Sequence, residues 1–129
     1  MRVLLDTHVW LWMLLEPERL SRRAHALIAS EDTELLLSAV SAWEIAIKQA
    51  LGKLRLDAPA AERVPVWMWE TRVTPLPVLH RHALQVASLP PRHRDPFDRL
   101  LAAQAQVEDV PIMTVDRIFA RYDVKVVRA

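Results

Sequence analysis

Three observations predict an α/β fold, a parallel sheet with helices on both faces. Short continuous apolar runs, such as Val3-Leu4-Leu5 and Leu35-Leu36-Leu37, read as strands buried on both sides, the form that parallel strands take. These runs alternate along the chain with helical patterns, the order expected of repeated β-α units. Four carboxylates, Asp6, Glu44, Asp98 and Asp116, each abut an apolar run, whereas acids ordinarily lie on solvated faces.

The elements follow in order. Val3 to Leu5 is a strand ending at Asp6, and helical patterns run from about Val9 to Leu15 and from Ser21 to Ser30, with Ser21 as a cap. Leu35 to Leu37 is the second strand. Ser41 is expected to cap a helix that runs to Leu51 and stops at Gly52. Ala60 to Glu70 reads as a helix, with Pro65 either in its first turns or kinking it. Val73 to Leu76 is a short third strand, and His80 to Ser88 a helix ended by Pro90-Pro91. After the basic loop Arg92-His93-Arg94, Asp95 caps a helix with Pro96 at its first position, reaching about Val107. Pro111 to Val115 and Val124 to Val127 are the fourth and fifth strands. No repeat, low-complexity segment or linker interrupts this order.

At 129 residues, 52% hydrophobic and 26% charged, the chain is expected to form one globular domain over 1–129. The absence of cysteine excludes a disulfide scaffold and a thiolate zinc site, and is compatible with the expected location in the cytoplasm. The N-terminus meets Asp6 too soon for the apolar core of a signal peptide. No uncharged stretch, Thr7 to Leu15 included, is long enough to cross a bilayer, so no membrane span is expected. With a net charge of +1, an anionic partner must be met by a local patch rather than a global field. The single glycine, Gly52, excludes a Walker loop or dinucleotide fingerprint, which need several glycines to close backbone amides around phosphate.

The four acids therefore carry the functional reading. Asp6 and Asp116 stand where strands emerge, and ligand sites in open α/β sheets collect at those ends, at the point where strand order reverses. If the first and fourth strands are neighbours, these two acids fall together, with Glu44 and Asp98 reaching the same crevice from flanking helices. Converging carboxylates repel and call for a shared cation, and oxygen-only ligands favour Mg2+ or Mn2+. Each acid also has a plainer reading. Asp6 and Asp116 would suit helix or turn caps, Glu44 could be solvated and paired with Lys48, and Asp95 with Asp98 resembles a capping box. The conjunction of four acids at element ends facing one crevice favours the catalytic reading.

Other candidates are weaker. His8, His25, His80, His82 and His93 show no metal-ligand spacing, and solvated surface is expected for most of them. Trp10 and Trp12 are expected in the core. Val66-Trp67-Met68-Trp69 covers adjacent helix faces, so part of it is either core or a partner surface. Arg92, Arg94 and Arg99, beside the acid pair, suit either a phosphate contact or a solvated loop.

Together these segments resemble the PIN-domain ribonucleases, specifically the VapC-type toxins of type II toxin–antitoxin systems. The resemblance is carried by Leu5-Asp6-Thr7-His8, by 38–48 (SAVSAWEIAIK) with Leu51-Gly52-Lys53-Leu54, by 93–104 (HRDPFDRLLAAQ), and by Thr114-Val115-Asp116. It spans nearly the whole chain, and its second and third segments are specific. It implies a three-layer α/β/α sandwich with a parallel, roughly five-stranded sheet, and Mg2+- or Mn2+-dependent endonucleolytic cleavage of RNA. It carries Asp6, Glu44, Asp98 and Asp116 over as the catalytic, metal-holding cluster, with Thr114 and Asp95 as auxiliary positions. It also implies a homodimer and a cognate antitoxin in the groove leading to the metal.

Three other readings were compared with this one. A haloacid-dehalogenase-like phosphotransferase needs an aspartate where His8 stands. A receiver-type signalling domain needs an acid pair near the first strand and a lysine past the last, whereas Lys125 is expected inside it. A non-catalytic binding module, with the acids as caps and Trp67 and Trp69 as its interface, is the remaining alternative.

Overall fold

The computed structural model describes residues 1–91 and 95–129 and places five strands in one sheet. They are β1 (Arg2–Leu5), β2 (Glu34–Ser38), β3 (Thr74–Leu76), β4 (Ile112–Thr114) and β5 (Val126–Arg128). All four pairings are parallel, in the order β3-β2-β1-β4-β5. The chain runs outward from β1 to β3, then crosses back from β3 to β4 on the other side of β1, so the order reverses between β1 and β4, which makes that seam the switch point.

The helices are α1 (Thr7–Leu15), α2 (Arg22–Ala29), α3 (Ala39–Ala50), α4 (Ala60–Thr71), α5 (His80–Gln85) and α6 (Pro96–Glu108). Single turns of tighter helix occupy Pro17–Arg19, Val86–Ser88 and Arg117–Arg121. Strand periodicity divides the core in two. Val3, Leu5, Leu35, Leu37 and Met113 point to one face, where they meet Val9 and Trp10 of α1, Ala24 of α2, Ile45 of α3 and Val64 of α4. Leu4, Leu36 and Ile112 point to the other, against Leu101, Ala102 and Ala105 of α6 and against Phe119. The sheet is thus the middle layer of an α/β/α sandwich.

Ser21 caps α2 as expected, its side chain accepting from the Ala24 N–H at 3.1 Å. The start of α3 differs from expectation. Ser38, not Ser41, is the cap, accepting from the Val40 N–H at 3.0 Å, so the helix begins directly at the end of β2. Ser41 is inside the helix, and its buried hydroxyl meets that of Thr7 at 2.8 Å. Both serines have capping chemistry, and sequence spacing alone does not choose between them. Pro65 sits within α4 rather than in its first turn. Lys125 precedes β5 instead of lying within it, although its carbonyl accepts from the Ile112 N–H at 2.9 Å. Among the described residues no helix is long and apolar enough to cross a membrane.

Candidate active site

Asp6 follows β1 directly, and its backbone N–H donates to the Met113 carbonyl at 3.0 Å, extending the β1–β4 seam by one residue. Its side chain does not cap α1. Only 3% exposed, its carboxylate instead accepts from the Thr114 hydroxyl across the seam, at 2.7 Å. The same Thr114 oxygen accepts the Asp116 N–H at 2.9 Å. Thr114 thus joins the two strand-end acids. Asp116 also realises its plainer role, since its Oδ1 accepts the Ile118 N–H at 3.0 Å and caps the turn at Arg117–Arg121.

Glu44 comes from the second turn of α3. The pairing with Lys48 foreseen from their spacing is present, Nζ donating to Oε2 at 2.5 Å, but the carboxylate is not solvated. Glu44 is 2% exposed, and its second oxygen, Oε1, is buried with no hydrogen-bond partner. An unpartnered buried carboxylate oxygen is expensive, because the desolvation of a charged group is left uncompensated.

Asp95 is the α6 cap, its Oδ1 accepting from Phe97 N–H at 2.9 Å and Asp98 N–H at 3.3 Å. This cap and Pro96 start the helix so that Asp98 falls in its first turn. Trp43 and Phe97, each preceding one of the acids, meet edge-to-face with centroids 4.9 Å apart. Arg99 donates to the carbonyls of Pro90 at 2.8 Å and Val86 at 3.4 Å, tying α6 to the segment before it. Arg92 and Arg94 lie outside the described residues.

Electrostatics connects these pieces. Burial pushes the Asp6 carboxyl above its ordinary value; the Thr114 hydrogen bond and His8 oppose the rise, and the charge of Glu44 adds to it. Burial also works against the charge of Lys48. The hydrogen bond and charge of Glu44, with Asp95 and Asp98 beyond, outweigh it and hold the ammonium above its ordinary value. The charge of Glu44 is thus felt at Asp6, and Lys48 feels both Glu44 and the α6 acids. Asp116 joins through Thr114. Among the described residues no three acids or histidines stand close enough to share one ion. Mg2+ ordinarily keeps several waters and uses one or two carboxylates, so the pair Asp6–Glu44 suffices to begin such a site. The donors fit a hard cation: they are all oxygen, one is buried without a partner, and a neighbouring carboxyl is raised by burial and repulsion.

One polar cluster was not foreseen. His82 is fully buried rather than solvated. Its Nδ1 accepts from the Leu79 N–H at 3.0 Å, which places the proton on Nε2, and Nε2 donates to Glu108 at 2.9 Å. Buried Gln104 accepts from the Ser38 hydroxyl and donates to the Pro77 carbonyl at 3.2 Å. The available signal was a glutamine embedded in the apolar run 100–105 of a helix that must pack on the sheet.

The fold and the acids at its switch point define an α/β domain suited to cation-assisted chemistry. The PIN domain profile matches residues 3–125, and the chain belongs to the PIN domain family. It is 32% identical to Ribonuclease VapC22 of Mycobacterium tuberculosis over 118 residues, covering 89% of this chain and 87% of that one. It is 46% identical to Ribonuclease VapC16 of the same organism over 57 residues, which cover 44% of this chain and only 40% of that protein. Among solved structures, VapBC2 of Rickettsia felis, bound to a DNA fragment from its promoter, superposes with a TM-score of 0.75. At 13% identity, covering 99% of this chain and 98% of that one, that likeness is one of fold.

Proposed function

We propose that this chain is a Mg2+- or Mn2+-dependent endoribonuclease, the toxin of a toxin–antitoxin pair. The observation that carries the reading is the buried Asp6–Glu44 pair at the switch point, with Glu44 Oε1 lacking a partner. Relatives named ribonuclease support RNA as the substrate. The fold shared with a VapBC complex supports an antitoxin partner. A homodimer and cytoplasmic action belong to the same reading.

Asp6 and Glu44 are the residues that would hold the cation directly, and Asp98 and Asp116 are assigned to the same site through the waters a hard cation keeps. When bound, a divalent cation supplies Lewis acidity that lowers the pKa of a water nucleophile and offsets charge on the phosphate. Thr114 fixes the Asp6 carboxylate by donating to one of its oxygens. Asp95 holds the start of α6, and thereby the position of Asp98. A carboxylate of the site that does not bind the cation directly would accept the proton of the attacking water. In-line attack of water on the phosphodiester expels the 3′ oxygen and leaves a 3′-hydroxyl and a 5′-phosphate.

The test is cleavage of RNA in Mg2+ or Mn2+ and in EDTA, by the wild type and by Asp6→Asn and Asp98→Asn. Activity should need the metal and fall at least a hundredfold in either variant at unchanged fold, the scale set by losing a positioned acid–base group. Undiminished cleavage in EDTA, or by both variants, would overturn the proposal.

A further inference from the structure

We infer that the cleft between α1 and α3 binds one nucleotide of a single-stranded RNA beside the acids, with Lys53 as a phosphate contact. The inference rests on the nuclease reading above and assigns a residue to its substrate. The cleft has a volume of about 320 Å³ and counts Glu44 among its lining residues. Its floor is apolar, formed by Leu11, Ile45 and Leu54, and its rim carries Lys48, Lys53 and His8. Glu44 is the one acid among its described lining residues, and Lys48 already neutralises it. The volume lies at the lower end of ligand pockets. It suits a nucleotide and is too small for a helix of a protein partner, which is 10–12 Å across.

The cationic rim is built by the backbone. Gly52, the chain's single glycine, has φ +73°, and a Cβ there would meet nothing within 4 Å. Glycine is therefore needed for the left-handed conformation rather than for space. The turn lets both Lys53 N–H, at 2.8 Å, and Leu54 N–H, at 3.2 Å, donate to the Lys48 carbonyl. The chain folds back along the end of α3, and Lys53 comes to line the same cleft as Lys48. No carboxylate among the described residues pairs with Lys53, so its ammonium is available to an anion. On a chain of net charge +1, with Lys48 engaged by Glu44, the ammonium of Lys53 is the local charge that would attract a polyanion. Lysine meets a phosphate as a point charge, and the apolar floor supplies a surface for base or sugar.

The experiment measures binding of a labelled single-stranded RNA oligonucleotide to the full chain in EDTA, by fluorescence anisotropy across a salt series. Exposed Lys53 is replaced in Lys53→Gln and Lys53→Arg, and the control is Lys125→Gln, an exposed lysine at the foot of β5. Lys53→Gln should bind severalfold more weakly, with its log–log salt slope shallower by about 0.7, the share of one single-strand phosphate contact. Lys53→Arg should retain most of the affinity, and the control should match the wild type. Melting temperatures of the variants should match the wild type, which separates lost contact from lost fold. Equal affinity and slope for Lys53→Gln and the control would overturn the cleft, as would a wild type that binds no RNA. Cleavage by the wild type in Mn2+, measured in parallel, tests the nuclease reading separately: it can stand while the cleft falls. If binding depends on Lys53 but cleavage is absent, the nuclease reading falls and the cleft stands as an RNA site.

Discussion

Thr114 is a small side chain on which two acids depend: its hydroxyl donates to Asp6 and accepts from the Asp116 backbone. Thr114→Val keeps the shape and removes both bonds, so it should lower stability by about 1–3 kcal/mol, as for a buried polar group left unsatisfied. Asp6→Asn should behave oppositely in the metal-free protein. It removes a buried charge whose carboxyl is raised by burial and by Glu44, so in chelator the variant should melt at or above the wild type. The wild type should gain from added Mn2+ and the variant should gain less, by the mass action of a ligand that binds only the folded state. An Asp6→Asn protein that melts well below the wild type in chelator would show that the carboxylate is structural. At this scale the acids were legible because each interrupts an apolar run. Their partners were not: nothing in Asp6-Thr7 says that its side chain turns to a threonine 108 residues away instead of capping α1.

The layers on the far side of the sheet are held to each other by polar contacts as well as apolar ones. Ser38 at the end of β2, Gln104 of α6 and the Pro77 carbonyl after β3 form one hydrogen-bonded chain, and His82 of α5 joins Glu108 of α6. Because Ser38 also caps α3 and Gln104 lies on the helix of Asp98, this chain sets two elements that carry site acids. The His82 hydrogen bond is the largest influence on Glu108 and, with Arg81, holds its carboxyl below the ordinary value of 4.5. A depressed acid stabilises the fold above its unfolded value and loses that contribution as pH falls through its folded value. Glu108→Gln should therefore cost about 1.5–3 kcal/mol at neutral pH, the range for a hydrogen bond to a charged group. The gap to the wild type should close on acidification below 4.5, read by urea unfolding across pH. A gap constant down to pH values well below that would mean the charge of Glu108 contributes nothing. Helix α6 was legible to within a residue or two because Asp95-Pro96 marks its start chemically. The start of α3 was misplaced by one turn because Ser38 and Ser41 are equivalent in sequence, and only the pairing of β2 with β3, which sets Ser38 opposite Leu76, makes Ser38 the last strand residue.

Strand alternation, the switch point and the order of elements were legible because all three follow from hydrophobic period and connection rules that hold for any parallel sheet. Whether anything covers the exposed apolar surface was not, since one sequence carries no record of a second chain. Sheet extension is poorly served: β3, one of the two edges, has Pro75 in register with Leu37 and so lacks an N–H there. The apolar surface lies instead on α4. Trp67 turns inward and packs edge-on against Trp10, while Trp69 is 84% exposed, beside a groove lined by Pro65, Met68, Val73 and Pro75. The mixed core-and-surface reading of this stretch is what the structure holds. A tryptophan so exposed contributes little to folding, so Trp69→Glu should leave the melting temperature nearly unchanged, within about 0.5 kcal/mol. Its effect should fall on the proposed assembly. Sedimentation velocity at micromolar concentration should show the wild type as a dimer, and a complex once a co-encoded antitoxin is added. If α4 lies in the dimer seam, Trp69→Glu sediments as a monomer that still takes up antitoxin; if it lies in the antitoxin groove, the dimer persists and uptake is lost. A wild type that stays monomeric and binds no antitoxin would remove both partners at once, leaving the α4 face as ordinary exposed apolar surface.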